Sequence, residues 1–118
     1  MDYTIGQSSL IDVPALVRAC TEEWHNQTLC PVNDCVVRLG IVKGEFHWHK
    51  HDREDEFFFV VQGKLLLDLK GTDGAEETIA LHPQQGYTVP RGVVHRTRAE
   101  EKTVMLMIEQ NTVEPLGD

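Results

Sequence analysis

The chain has 118 residues, of which 41% are apolar and 25% charged, and carries a formal net charge of −8. That length and composition predict one globular domain, residues 1–118, with a hydrophobic core of its own. The acidic balance argues against nucleic-acid or anionic-membrane partners, which need basic patches. No signal-peptide pattern and no membrane-length apolar run is present, so a cytoplasmic protein is expected.

In chain order, residues 1–30 form a lead-in and a helix. Ser8, Ser9 and Asp12 are candidate caps, Pro14 suits a first turn, and Leu16, Val17, Ala19, Cys20 and Trp24 recur at helical spacing. A short helix over about 13–24 is predicted, with Trp24 closing one end of the core. Cys20, Cys30 and Cys35 show no CxxC spacing and are expected to be buried free thiols.

The periodicity then changes. Thr28–Cys30, Cys35–Val42, Glu45–Lys50, Glu56–Val61, Leu65–Lys70, Glu77–Leu81, Tyr87–Val89, Val93–Arg98 and Thr103–Glu109 read as short strands separated by turn residues. The turns are placed at 31–34, Lys43-Gly44, Thr72-Asp73-Gly74, 82–86, 90–92 and the charged run 100–102. Eight or nine short strands predict an all-β sandwich or barrel over about 35–110, followed by an extended or frayed tail, 111–118.

The chemistry is concentrated between Gly44 and Gly63, in GEFHWHKHDREDEFFFVVQG. On a strand, His47, His49 and His51 would project to one face, and Glu56 follows five residues later. Imidazoles converging with a carboxylate suit a borderline divalent metal. A further ligand candidate is His95, in GYTVPRGVVHRT, where Pro90 and Gly92 turn the chain sharply. Phe58 and Val60 share the face of Glu56 and should line an apolar pocket. Phe57, Phe59 and Val61 form the alternate face, for core or interface, and Arg96 and Arg98 are expected to be solvated.

Two spacings carry a resemblance. His49-x-His51-x4-Glu56-x6-Gly63 matches the first motif of the cupin superfamily. Gly86-x3-Pro90-x-Gly92-x2-His95 is similar to the second, with a shorter gap before Pro90 and with Ala99 where the pattern has Asn. The resemblance implies a double-stranded β-helix, or jelly roll, with one short N-terminal helix. It implies His49, His51, Glu56 and His95 as ligands of one divalent transition metal: Mn, Fe, Ni, Zn or Cu. His47, extra to the motif, becomes a core histidine, an outer-shell group or a substrate contact. Small cupins are often labelled mannose-6-phosphate isomerase-like, and a homodimer that covers the sheet edges is expected. The implied function is a metal-dependent enzyme acting on a small oxygen-rich molecule, as a dioxygenase or a Lewis-acid isomerase. The alternative is a non-enzymatic binding or sensing protein.

Overall fold

The computed structural model describes residues 8–118; most of the predicted lead-in, residues 1–7, lies outside them. Asp12 caps helix α1 (Val13–Ala19), its side chain accepting from the Ala15 N–H at 3.1 Å, and Pro14 sits in the first turn. The helix is shorter than the 13–24 expected. Thr21, Glu22 and Glu23 are all exposed, so a further turn would have no apolar face to bury, and packing is what sustains short helices.

Seven strands follow among the described residues: β1 (His25–Val32), β2 (Cys35–Glu45), β3 (Glu56–Gln62), β4 (Leu65–Lys70), β5 (Glu76–Leu81), β6 (Gly86–Val89) and β7 (Val94–Gln110). All pairings are antiparallel. The path β1-β2-β7-β3-β6 forms one face, while β4 joins β5 to the first half of β7. The result is a mostly β double-stranded helix, a jelly roll with one short helix.

Two boundaries differ from expectation for one reason. Lys43-Gly44 does not reverse the chain and Glu100–Lys102 does not form a turn. Val42 pairs with Thr103 and Gly44 with Ala99, so both segments belong to an irregular stretch within continuing strands. Gly44 takes φ +97° there, a value glycine tolerates without strain. The merger makes β7 one 17-residue strand that passes from one sheet face to the other.

Strand alternation divides the core. Val42, Phe58, Val60, Leu65, Leu67, Leu69, Met105 and Met107 pack inside the barrel. Leu39, Ile41, Leu29 and Val104 lie on the outer face, covered by Ile11, Val13, Leu16 and Val17. The helix is therefore a cover for the outside of the sheet. Trp24 is not part of either core: it is 40% exposed. The three cysteines are free and half-buried.

Gly63 closes the β3–β4 turn at φ +91°, and a Cβ there would lie 2.8 Å from the Lys102 carbonyl oxygen and 2.9 Å from Thr103 Cα. Both obstacles are backbone. Gly63→Ala is expected to lower stability by at least about 2 kcal/mol, read as a lower midpoint in urea unfolding with an unchanged slope.

Candidate metal centre

His49 and His95 form an isolated bridge, each donating its N–H to the other's carbonyl, at 3.0 and 2.8 Å. Phe46 N–H donates to Thr97 O at 2.9 Å. Three residues on one side thus span two on the other, so the histidine stretch contains an extra residue. It is not the regular strand expected over 45–50. The irregularity breaks the alternation. Phe46 and His49 both line the cavity, His51 is buried, and His47 is exposed. The expectation that His47 shares the inward face is corrected accordingly. Its Nε2 donates to Leu116 O at 2.7 Å.

Glu56 opens β3, whose register sets it opposite Val89 on one side and Glu109 on the other. Its side chain points inward, while Asp55 is exposed and accepts from Arg91 N–H at 2.9 Å. One ligand-type atom each from His49, His51, Glu56 and His95 falls within 4.8 Å of the others. His95 Nε2 stands 3.2 Å and His51 Nε2 3.4 Å from Glu56 Oε1.

Hydrogen bonds decide which ring nitrogens face this focus. His49 Nδ1 donates to His47 O at 3.0 Å and His95 Nδ1 to Val93 O at 2.9 Å. A carbonyl only accepts, so each proton sits on Nδ1 and Nε2 is left for the focus. Burial lowers the His49 pKa to about 4, with the neighbouring His95 and His51 also opposing its charge and the His47 carbonyl favouring it. The ring is therefore neutral near pH 7, as a ligand must be. The Glu56 carboxylate raises the His51 pKa despite burial. Burial pushes Glu56 up, but the facing imidazoles of His51 and His95, when they carry a proton on Nε2, outweigh it and hold the carboxyl well below its usual range.

The donor set fits a metal. His51 is only 2% exposed, and its Nδ1 has no hydrogen-bond partner among the described residues. A carboxylate oxygen facing imidazole nitrogens at 3.2–3.4 Å needs positive charge between them, supplied by protons on the rings or by a cation that displaces them.

Further carboxyls are buried. Glu109 is buried beside Glu56, and its carboxyl is ion-paired to Arg38 Nε at 3.0 Å. Burial first, then the charge of Glu56, pushes the Glu109 pKa up. Asp68 is buried on β4 and accepts from Arg96 Nε at 2.8 Å, Arg98 Nη2 at 2.9 Å and Thr78 Oγ1 at 2.7 Å. Arg96 and Arg98 are thus gripped, not solvated.

The tail is docked rather than frayed. Val113 is buried, Thr112 Oγ1 donates to Glu54 Oε2 at 2.6 Å, and Asp118 N–H donates to Lys50 O at 2.9 Å. Gly117 sits at φ +98°, and a Cβ there would lie 2.6 Å from His49 Cβ. Gly117→Val is expected to push the tail off the histidine stretch and weaken metal binding about tenfold. Competition against a chelator of known affinity checks this, with thermal stability nearly unchanged.

A cavity of about 300 Å³ opens onto His49 and Glu56. Trp24, Phe46, Phe58, Met105, Met107 and Leu116 supply its apolar walls, and His25, Asn26, Thr97 and Glu109 its polar points. Phe58 lines it as expected. Val60 is buried in the barrel core but is not among the lining residues.

The jelly roll and its inward His/Glu cluster define a small barrel protein with a donor set that could hold a metal. The chain belongs to the cupin family: residues 37–109 match the family described as "Cupin domain". It is 36% identical over 107 residues to the uncharacterized protein YdbB of Bacillus subtilis (strain 168), covering 91% of each chain. A cupin-2 domain containing protein from Shewanella frigidimarina NCIMB 400 is similar in structure. Its TM-score is 0.78 at 28% identity, covering 86% of this chain and 95% of that one. Oxalate decarboxylase of Bacillus subtilis, described with Mn(II) centres, shares the fold alone. Its TM-score is 0.61 at 16% identity, over 69% of this chain and 22% of that one.

Proposed function

We propose that this cupin is a metal-dependent enzyme in which His49, His51, Glu56 and His95 hold one divalent transition metal. It would act on a small oxygen-bearing molecule, as a dioxygenase or a Lewis-acid isomerase. The carrying observation is that three imidazoles and one carboxylate converge, and that two of the four, His49 and Glu56, line a largely apolar cavity. A structure of the same fold described with Mn(II) centres supports manganese among the candidates Mn, Fe, Ni, Zn and Cu.

Bound there, the metal would polarise a carbonyl or enolic oxygen. The chain's own residues do the rest. His47 O and Val93 O fix the tautomers of His49 and His95. Phe46, Phe58 and the two methionines hold the substrate body away from water. Arg38 anchors Glu109 beside Glu56, which fixes a second carboxyl group at the cavity wall.

A mannose-6-phosphate isomerase-like activity is disfavoured, because no lysine or arginine is among the lining residues to receive a phosphate. A binding or sensing role is the second reading. We further propose a cytoplasmic homodimer, with no nucleic-acid or membrane partner. The stacked rings of Phe57 and Phe59, 6.4 Å apart, and the 40% exposed Ile108 offer an apolar outer face for a second copy.

Oxygen uptake by the metal-loaded protein with a panel of diketones and catechols tests the reading. Oxygen-linked turnover identifies a dioxygenase, and anaerobic turnover an isomerase. Metal-loaded protein that binds members of the panel without converting any points to the sensing role.

A further inference from the structure

We infer that the cavity selects a molecule with one oxygen-bearing head for the metal and an uncharged, largely apolar body, and rejects molecules carrying a second anionic group. This rests on the metal reading above and narrows its substrate class. The proposed ligands His49 and Glu56 are among the residues that line the cavity. Beyond them the walls are chiefly aromatic, thioether and aliphatic: Trp24, Phe46, Phe58, Met105, Met107 and Leu116.

The polar points beyond the ligands are few, and among the lining residues none is a lysine or arginine. The nearby guanidinium, Arg38, pairs with Glu109 at 3.0 Å and is not part of the lining. A head group can exchange its hydration for the metal. A distant carboxylate, sulfonate or phosphate would lose water and find no lysine or arginine to replace it, the one lining imidazole beyond the ligands, His25, being bonded to Gln27 Oε1 at 3.2 Å. An apolar ring instead finds shape and polarizability. Unbranched methionines adapt to flat rings, and sulfur–aromatic contacts are favourable. The volume, about 300 Å³, lies at the small end of ligand sites and suits a single ring with short substituents.

A matched pair of probes tests this: 4-methylcatechol and 3,4-dihydroxybenzoate share the chelating head and differ in a distal methyl or carboxylate. The protein is loaded with zinc, which undergoes no redox chemistry. Trp48, whose ring is stacked by Lys70 and Arg96 and is not among the lining residues, is replaced in Trp48→Phe. Trp24, on the cavity wall, is then the sole tryptophan reporter. Quenching of Trp24 is expected at concentrations at least about tenfold lower for 4-methylcatechol than for 3,4-dihydroxybenzoate. Equal affinities, tighter binding of the carboxylate, or binding of neither overturns the inference. Zinc stoichiometry on the same sample separates the two ideas. Absent zinc refutes the metal centre and this inference with it, whereas bound zinc with equal affinities overturns the cavity assignment alone.

Discussion

Replacing His95 by alanine is expected to abolish tight binding of a divalent metal while the barrel still folds. His95 is 1% exposed and is held twice, by its backbone bridge to His49 and by its Nδ1 donation to Val93 O. Its Nε2 therefore reaches the cluster in a fixed orientation, with little entropy left to lose on binding. Outer partners of metal ligands are worth about 10–100-fold in affinity, and loss of a ligand should exceed that. His95→Gln, which keeps more of the side-chain volume, separates packing from ligation. Both variants should retain the wild-type circular dichroism spectrum, and both should fail to compete with a chelator for metal.

Replacing Asp68 by alanine should produce the largest loss of stability, about 3 kcal/mol, lowering Tm by about 10 °C. Asp68 pairs in register with Thr78 on β5 and with Arg96 on β7, and it receives both arginines in a buried position. Without it, two half-buried guanidinium groups face each other uncompensated. Asp68→Asn keeps the shape and removes only the charge. The Arg98 hydrogen bonds, followed by those of Thr78 and Arg96, hold the Asp68 carboxyl well below its usual range. A depressed folded-state pKa gives stability that is complete above the ordinary carboxyl value of about 4 and is lost as the pH falls further. Wild type should therefore lose stability below about pH 4 more steeply than Asp68→Asn, so that the gap between them narrows in acid.

The His/Glu cluster was legible because its spacing survives the irregularity that carries it. His49 and His51 keep their two-residue step, and Glu56 begins a regular strand. His47 lies across the extra residue, and a single inserted position reverses a side chain's face, which no periodicity argument registers. Turn residues were over-read for a similar reason. Gly44 and the charged run 100–102 look like punctuation, but between paired strands they form an irregular bend.

The tail was misjudged because Pro115 and Gly117 read as breakers, whereas Gly117 provides the close approach to His49. The buried charge pairs had a signal that composition masks. Arg38 lies in CVVRLGIV, Glu109 ends TVMLMIE and Asp68 lies in LLLDLK. A lone charge in an apolar strand is costly to bury, so several such charges of opposite sign imply that they pair. Trp24 took helical spacing by coincidence; its ring lies 5.8 Å from Phe46 at the cavity.

The most direct test of the metal centre is elemental analysis of protein purified without added metal or chelator, paired with thermal unfolding before and after chelator treatment. The arrangement of His49, His51, Glu56 and His95 predicts about one first-row transition metal per chain. It also predicts a drop in Tm when the metal is withdrawn, because a ligand bound only by the folded state stabilises it. A chain that carries no metal, takes none up from excess Mn(II), Fe(II), Ni(II), Cu(II) or Zn(II), and unfolds at the same temperature with or without chelator would contradict the account.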